Sequence, residues 1–149
     1  MITASHNKAS DNGVKIVDYN GELLDSLWEK KATYFVNAED PGAAFMTLLE
    51  AQDEGEEPIY LSNKGCVFVA RDTRPSSIDL SEALIKGVRS AGGDEIDLGL
   101  LTTPQLHFLV QQSYRSGSLE VSLNDYYQHL KEKTELFKAC VETEKKRKY

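Results

Sequence analysis

Cys66-Val67-Phe68-Val69-Ala70-Arg71-Asp72-Thr73-Arg74-Pro75-Ser76-Ser77 is the stretch whose reading decides the fold. Its first five residues form a short continuous apolar run of branched and aromatic side chains, the pattern of a strand buried on both faces. Charged residues follow at once, and Ser76 or Ser77 can then cap a helix. Leu80, Leu84, Ile85 and Val88 give that helix an apolar stripe, and Gly92-Gly93 should end it. Residues 96–101 predict a second strand, and Pro104 opens a further helix through Leu106, Leu109 and Val110. Strand, helix, strand, helix in this order predicts an α/β fold with helices packed on a sheet. Ligands of such folds gather beyond the carboxyl ends of the strands, where the segments beginning at Arg71 and Leu101 would lie.

Toward the N-terminus, residues 14–19 alternate apolar and polar side chains as a half-buried strand does, and Asn20-Gly21 supplies a turn. Leu23, Leu24, Leu27, Trp28 and Ala32 recur at helical spacing, and a second helix opens at Pro41-Gly42 with Phe45, Leu48 and Leu49 on one side. The acidic residues 52–57 read as an exposed connection. Toward the C-terminus, Leu123, Tyr127, Leu130, Thr134, Phe137 and Val141 predict one long helix over about residues 120–146. It closes on Lys145-Lys146-Arg147-Lys148, a solvated run whose cations complement the helix dipole. His107, on an apolar helix, reads as a structural histidine.

The length of 149 residues suits one domain. A net charge of −7 argues against a non-specific nucleic-acid binder, because phosphate backbones are held by clustered Lys and Arg. Cys66 and Cys140 lie far apart and have no metal-ligand spacing, which favours a reduced, cytoplasmic protein. No apolar run approaches the roughly 20 residues that span a bilayer, so a membrane partner is not expected.

The chemistry concentrates near the start. Thr3-Ala4-Ser5-His6-Asn7, followed by Asp11-Asn12-Gly13-Val14-Lys15, places a hydroxyl nucleophile, an imidazole, amides and a cation in one loop. A serine becomes a useful nucleophile only when a neighbour takes its proton, and once phosphorylated it carries about −1.5 to −2 charge that needs donors and cations around it. His6 and Lys15 are the two candidates for proton transfer. A loop scaffold for His6 and a snorkelling strand lysine for Lys15 are the plain alternatives. Arg71 and Arg74 flank Asp72, either as a local ion-pair network or with one arginine forked to a phosphate while Asp72 holds it in place.

These residues carry a resemblance. Ile2-Thr3-Ala4-Ser5-His6-Asn7 with Asp11-Asn12-Gly13-Val14-Lys15-Ile16-Val17-Asp18 resembles the phosphoserine loop of the α-D-phosphohexomutases, with Lys8 standing where that family usually carries proline. Arg71-Asp72-Thr73-Arg74-Pro75-Ser76-Ser77 and Gly99-Leu100-Leu101-Thr102-Thr103-Pro104-Gln105-Leu106-His107 come after the serine loop. That order resembles the acetylglucosamine branch of the superfamily, in which the elements are permuted.

The resemblance implies an N-terminally truncated part of the first of four domains, spanning residues 1–149: a serine loop at 1–15, then α/β layers with a mixed sheet. Ile2-Thr3 would close a strand whose earlier part lies outside the chain. It further implies Ser5, His6 and Lys15 as catalytic residues, and Asn7, Arg71, Asp72 and Arg74 as contacts to an amino-sugar phosphate. A magnesium ion would be held through the phosphate on Ser5, its carboxylate ligands lying outside this chain, and a sugar bisphosphate would serve as activator. The implied reaction interconverts N-acetylglucosamine 6-phosphate and 1-phosphate for UDP-N-acetylglucosamine synthesis. The chain alone is expected to be catalytically incomplete. Another hexose-phosphate mutase, or a noncatalytic fragment acting as a binding module, are the other readings.

Overall fold

The computed structural model describes residues 1–50 and 64–147, with side chains to residue 143. Helices α1 (Ser26–Val36) and α2 (Pro41–Glu50) come first, followed by strand β1 (Cys66–Arg71), helix α3 (Ser77–Ser90), strand β2 (Asp94–Leu100) and helices α4 (Thr103–Ser116) and α5 (Leu123–Arg147). The expected connection at residues 52–57 and the side chains of the closing basic run lie outside the described residues.

The two strands pair in parallel, Cys66 opposite Asp94 through Val69 opposite Asp97, with a bulge before Arg71 meets Leu100. The extra residue lies on β2, where Gly99 takes φ +66° and donates its N–H to Asp97 Oδ1 at 2.8 Å. A left-handed residue beside the bulge is a position glycine fills without steric cost. The sheet acquires its mixed character at one residue: Ile2 bridges Arg71 in parallel on one side and Val14 in antiparallel on the other. Val69, Ala70, Ile2, Leu101, Leu106 and Leu109 are nearly inaccessible, so the core lies under the carboxyl half of β1 and against α4.

Several expectations need correction. Residues 14–19 form no continuous strand; Val14 and Val17 make isolated bridges to Ile2 and Leu23, and Val14 and Ile16 stay exposed. Alternation gives a segment β character, but a strand also needs a partner of matching length. β1 is not buried on both faces, since Val67 is exposed near its open end. Helix α1 starts at Ser26 rather than at the leucines, because the Asp25 carboxylate caps it by accepting from Leu27 N–H at 2.8 Å. Ser76 occupies the cap position of α3 without making the cap bond: its backbone is already helical, at φ −78° and ψ −8°, and its hydroxyl accepts from Asn12 Nδ2. In α5 the expected stripe is largely exposed at Tyr127, Leu130 and Phe137. The helix packs through Tyr126 and His129, whose rings lie 5.4 Å and 5.1 Å from that of Phe108. α4 follows the sequence closely, with a Thr102–Gln105 capping box and proline in its first turn.

His107 has a structural task, as expected: it is half-buried, with Nδ1 2.8 Å from the Gly21 carbonyl oxygen, tying the turn after the serine loop to α4. Gly21 sits at φ +84°, and a Cβ there would fall 2.7 Å from His107 O and 2.8 Å from Gln111 N. Backbone cannot yield as a side-chain tip does. Gly21→Ala should therefore destabilise the fold by roughly 3 kcal/mol, combining overpacking with left-handed strain. Thermal unfolding checks this, and an unchanged midpoint would show that the turn lifts off α4 at no cost.

Candidate active site

The carboxyl end of β1 organises the site. Ile2 lies beside it: Ile2 N–H donates to Ala70 O at 2.8 Å and Asp72 N–H donates to Ile2 O at 3.0 Å. On the other side, Thr3 N–H donates to Gly13 O at 2.9 Å and Lys15 N–H to Met1 O at 2.8 Å. Residues 3 to 13 thus leave and rejoin the sheet at neighbouring points, as an exposed loop over the strand's end. The same pairing brings Lys15 back to Ser5, with Lys15 Nζ donating to Ser5 Oγ at 2.9 Å.

Ser5 is exposed and takes φ +39°, the one positive φ among the described non-glycine residues. That conformation costs an L-residue about 1 to 2 kcal/mol and persists only where the surroundings impose it. Ser5 N–H donates to Thr3 Oγ1 at 3.0 Å, and Thr3 Oγ1–H donates to Asp72 Oδ2 at 2.7 Å. At the loop's far end, Asn12 Nδ2 donates to Ser77 Oγ at 2.9 Å, and Ser77 Oγ–H donates to Asp72 Oδ1 at 2.6 Å. Asp72 also accepts from Arg74 N–H at 3.0 Å and forms an ion pair with the Arg74 guanidinium. Burial would raise the Asp72 pKa, but the Ser77, Arg74 amide, Thr3 and Arg74 guanidinium donors outweigh it and hold the carboxyl well below the usual carboxylate range.

Of the residues expected in the site, Ser5, Lys15, Asn7, Asp72 and Arg74 come together. Arg74 Nη2 donates to Asn7 O at 2.8 Å, so Asn7 takes part through its backbone. The Arg74 side chain is only 11% exposed, with its guanidinium paired to Asp72. Asp72, with donors on both oxygens, faces the protein. Arg71 is half-buried at the end of β1, and no hydrogen bond of its side chain is found among the described residues. His6 is exposed, and no hydrogen bond of its side chain is found among the described residues. Sequence reasoning gave no site role to Thr3, Ser77 or Asn12. The signal was present in Thr3, the hydroxyl two residues before the nucleophile, but its partner lies 69 residues away. The described residues contain no group of three His, Cys, Asp or Glu that could hold a metal ion, and none of their helices is long and apolar enough to cross a membrane.

Fold and site together define an α/β domain that presents a serine-bearing loop at the carboxyl edge of a parallel strand pair. The chain belongs to the phosphoglucomutase/phosphomannomutase family, alpha/beta/alpha domain I, whose model matches residues 32–123. That span holds Arg71, Asp72 and Arg74 and leaves the serine loop outside. The chain is 47% identical over 131 residues to a phosphoacetylglucosamine mutase of Sus scrofa, covering 87% of this chain and 24% of the relative. Among solved structures it is similar to Aspergillus fumigatus N-acetylphosphoglucosamine mutase. A serine-to-alanine variant of that protein with glucose 1,6-bisphosphate gives a TM-score of 0.69 at 38% identity, covering 78% of this chain and 21% of that one. A complex with GlcNAc-6P and magnesium gives 0.59 at 36% identity, covering 80% and 21%. The chain thus spans about a quarter of the length of the curated relatives it matches.

Proposed function

We propose that residues 1–149 are part of the first domain of a phosphoacetylglucosamine mutase, and that Ser5 is its phosphoryl carrier. The observation that carries this reading is the Lys15 Nζ to Ser5 Oγ contact at 2.9 Å, on a serine held in a left-handed backbone. Phosphorylated Ser5 gives its phosphoryl group to the free hydroxyl of N-acetylglucosamine 6-phosphate. The Oγ–P bond breaks, a P–O bond to the sugar forms, and Lys15 supplies the proton or the compensating charge at Oγ. The sugar bisphosphate then turns over, Ser5 Oγ attacks its other phosphoryl group and returns the proton, and N-acetylglucosamine 1-phosphate leaves for UDP-N-acetylglucosamine synthesis. Positioning and charge neutralisation carry such chemistry. His6, next to Ser5 and exposed, is the second proton-transfer candidate and the one that can accept the sugar's hydroxyl proton. With Arg74 committed to Asp72 and Asn7 O, the phosphate contacts fall to Arg71 and the Asn7 side chain.

Magnesium enters the proposal as the ion held together with GlcNAc-6P in a similar structure, and a sugar bisphosphate activator as the ligand of another. The described residues do not make a magnesium site by themselves, and carboxylates from outside them would have to complete it. A cytoplasmic location is supported by Cys66 and Cys140, both free thiols.

The test uses the protein in which this domain is joined to the other domains of its relatives. Incubation with glucose 1,6-bisphosphate should place one phosphoryl group on the Ser5 peptide. N-acetylglucosamine 6-phosphate should be turned over with a higher kcat/KM than glucose 6-phosphate or mannose 6-phosphate. Phosphate mapping to Ser10 would move the nucleophile, and preference for an unsubstituted hexose would favour another mutase of the family.

A further inference from the structure

The Asp72 carboxylate offers about four acceptor sites, and four donors occupy it: the Thr3 hydroxyl, the Ser77 hydroxyl, the Arg74 amide and the Arg74 guanidinium. Nothing is left over for a ligand. Two of the four donors are hydroxyls, and each hydroxyl accepts in turn from the serine loop: Thr3 Oγ1 from Ser5 N–H at 3.0 Å, Ser77 Oγ from Asn12 Nδ2 at 2.9 Å. A hydroxyl has one proton to give. With that proton pointed at a carboxylate, which has none to offer in return, the lone pairs of each oxygen must face the loop. The direction of every bond in both chains is therefore fixed by one anion.

We propose that Thr3 and Ser77 are positioning residues, whose hydroxyls relay the Asp72 carboxylate to the two ends of the serine loop and hold Ser5 in its left-handed backbone with Oγ against Lys15. Three features carry it. Thr3 and Ser77 are 5% and 0% exposed, so water does not replace either hydroxyl cheaply. The relay reaches the amide of Ser5 itself, the residue with φ +39°, and so acts on the torsion that aims the nucleophile. The two attachments also bracket the loop, at residues 3 to 5 and at residue 12, while Arg74 ties its middle through Asn7 O at 2.8 Å. The inference rests on the phosphoryl-carrier reading for its catalytic consequence, and on geometry alone for its conformational one.

Thr3→Val tests it, since valine keeps the branched shape and removes only the hydroxyl; Thr3→Ser keeps the hydroxyl and removes the methyl. In the 149-residue chain, NMR amide exchange at Ser5 should accelerate at least about tenfold in Thr3→Val and stay near the original rate in Thr3→Ser, while the Ile2 amide, bonded to Ala70 O, remains protected. In the multidomain protein, Thr3→Val should lower kcat about 30-fold with KM within twofold, and Thr3→Ser should restore kcat to within about threefold. Ser77→Ala should lower kcat in the same sense from the other end of the loop. An unchanged Ser5 amide in Thr3→Val overturns the relay. Released exchange with unchanged kcat overturns its positioning role, as does a kcat loss that only follows the folded fraction in thermal unfolding. Released exchange in a protein whose unmodified form never accepts phosphate at Ser5 leaves the relay standing and removes the mutase reading.

Discussion

Ser5→Ala should abolish turnover in the multidomain protein, a fall of at least about 10⁴-fold, while leaving the unfolding temperature nearly unchanged. The size follows from the proposed role: without the oxygen that would carry the phosphoryl group the covalent intermediate cannot form, and single nucleophile deletions in enzymes cost on the order of 10⁴ to 10⁶. The indifference of the fold follows from the structure. Ser5 is exposed, and the hydrogen bond its Oγ makes is to Lys15 Nζ, itself on an exposed side chain. Its backbone bond to Thr3 needs no side chain and survives the substitution. A coupled assay for the 1-phosphate product, run beside thermal unfolding, checks both halves. Residual turnover above about one per cent, in protein cleared of host mutase, would transfer the carrier role to another residue.

Lys15→Met should be the next most damaging change, with turnover lowered by roughly 10² to 10³, about 3 to 4 kcal/mol of transition-state stabilisation by comparison with other lost charge-stabilising donors. Methionine keeps an apolar stem and discards the ammonium that donates to Ser5 Oγ at 2.9 Å. The backbone of Lys15, by contrast, pairs with Met1 in both directions, at 2.8 Å and 2.9 Å, and these bonds do not depend on the side chain. Stability should therefore change by no more than about 0.5 kcal/mol. The two measurements separate a residue that acts on the phosphoryl group from one that merely covers the strand: near-normal turnover, or a loss matched by unfolding, would return Lys15 to the second description.

The stretch from Cys66 to Ser116 was legible because its signals are local. An apolar run, a helical stripe, a glycine stop and a proline start each act within a few residues, and their order is enough to specify a parallel strand pair crossed by a helix. The alternation of residues 14–19 was also real, but whether it becomes a strand depends on what lies beside it, and the structure offers isolated bridges there. In α5 only the start of the stripe packs on the core, at Leu123, while Tyr127, Leu130 and Phe137 stay exposed. Phe108 selects Tyr126 and His129, a choice made by the angle between two helices and invisible in either alone. The site divides in the same way. Ser5 and Lys15 could be proposed from chemical type, whereas Thr3, Asn12 and Ser77 are ordinary polar residues until β1 delivers Asp72 beneath them. For Arg74 the sequence left an ion pair with Asp72 and a phosphate fork both open, and the structure shows the ion pair together with a bond to the Asn7 carbonyl oxygen.

The distance along the chain between Thr3 and Asp72 also bears on the order in which the protein is made. The contact closes a separation of 69 residues, and Asn12 with Ser77 closes one of 65. Bringing such ends together costs roughly 4 kcal/mol of chain entropy before any bond is made, so these pairings belong to the late, non-local part of folding. Ser5 is translated first, yet the carboxylate that sets its backbone leaves the ribosome only after β1 has been synthesised. A Ser5 made before β1 therefore lacks the carboxylate that, through Thr3, sets its backbone, so the aim of this loop is a product of completed folding rather than of local sequence.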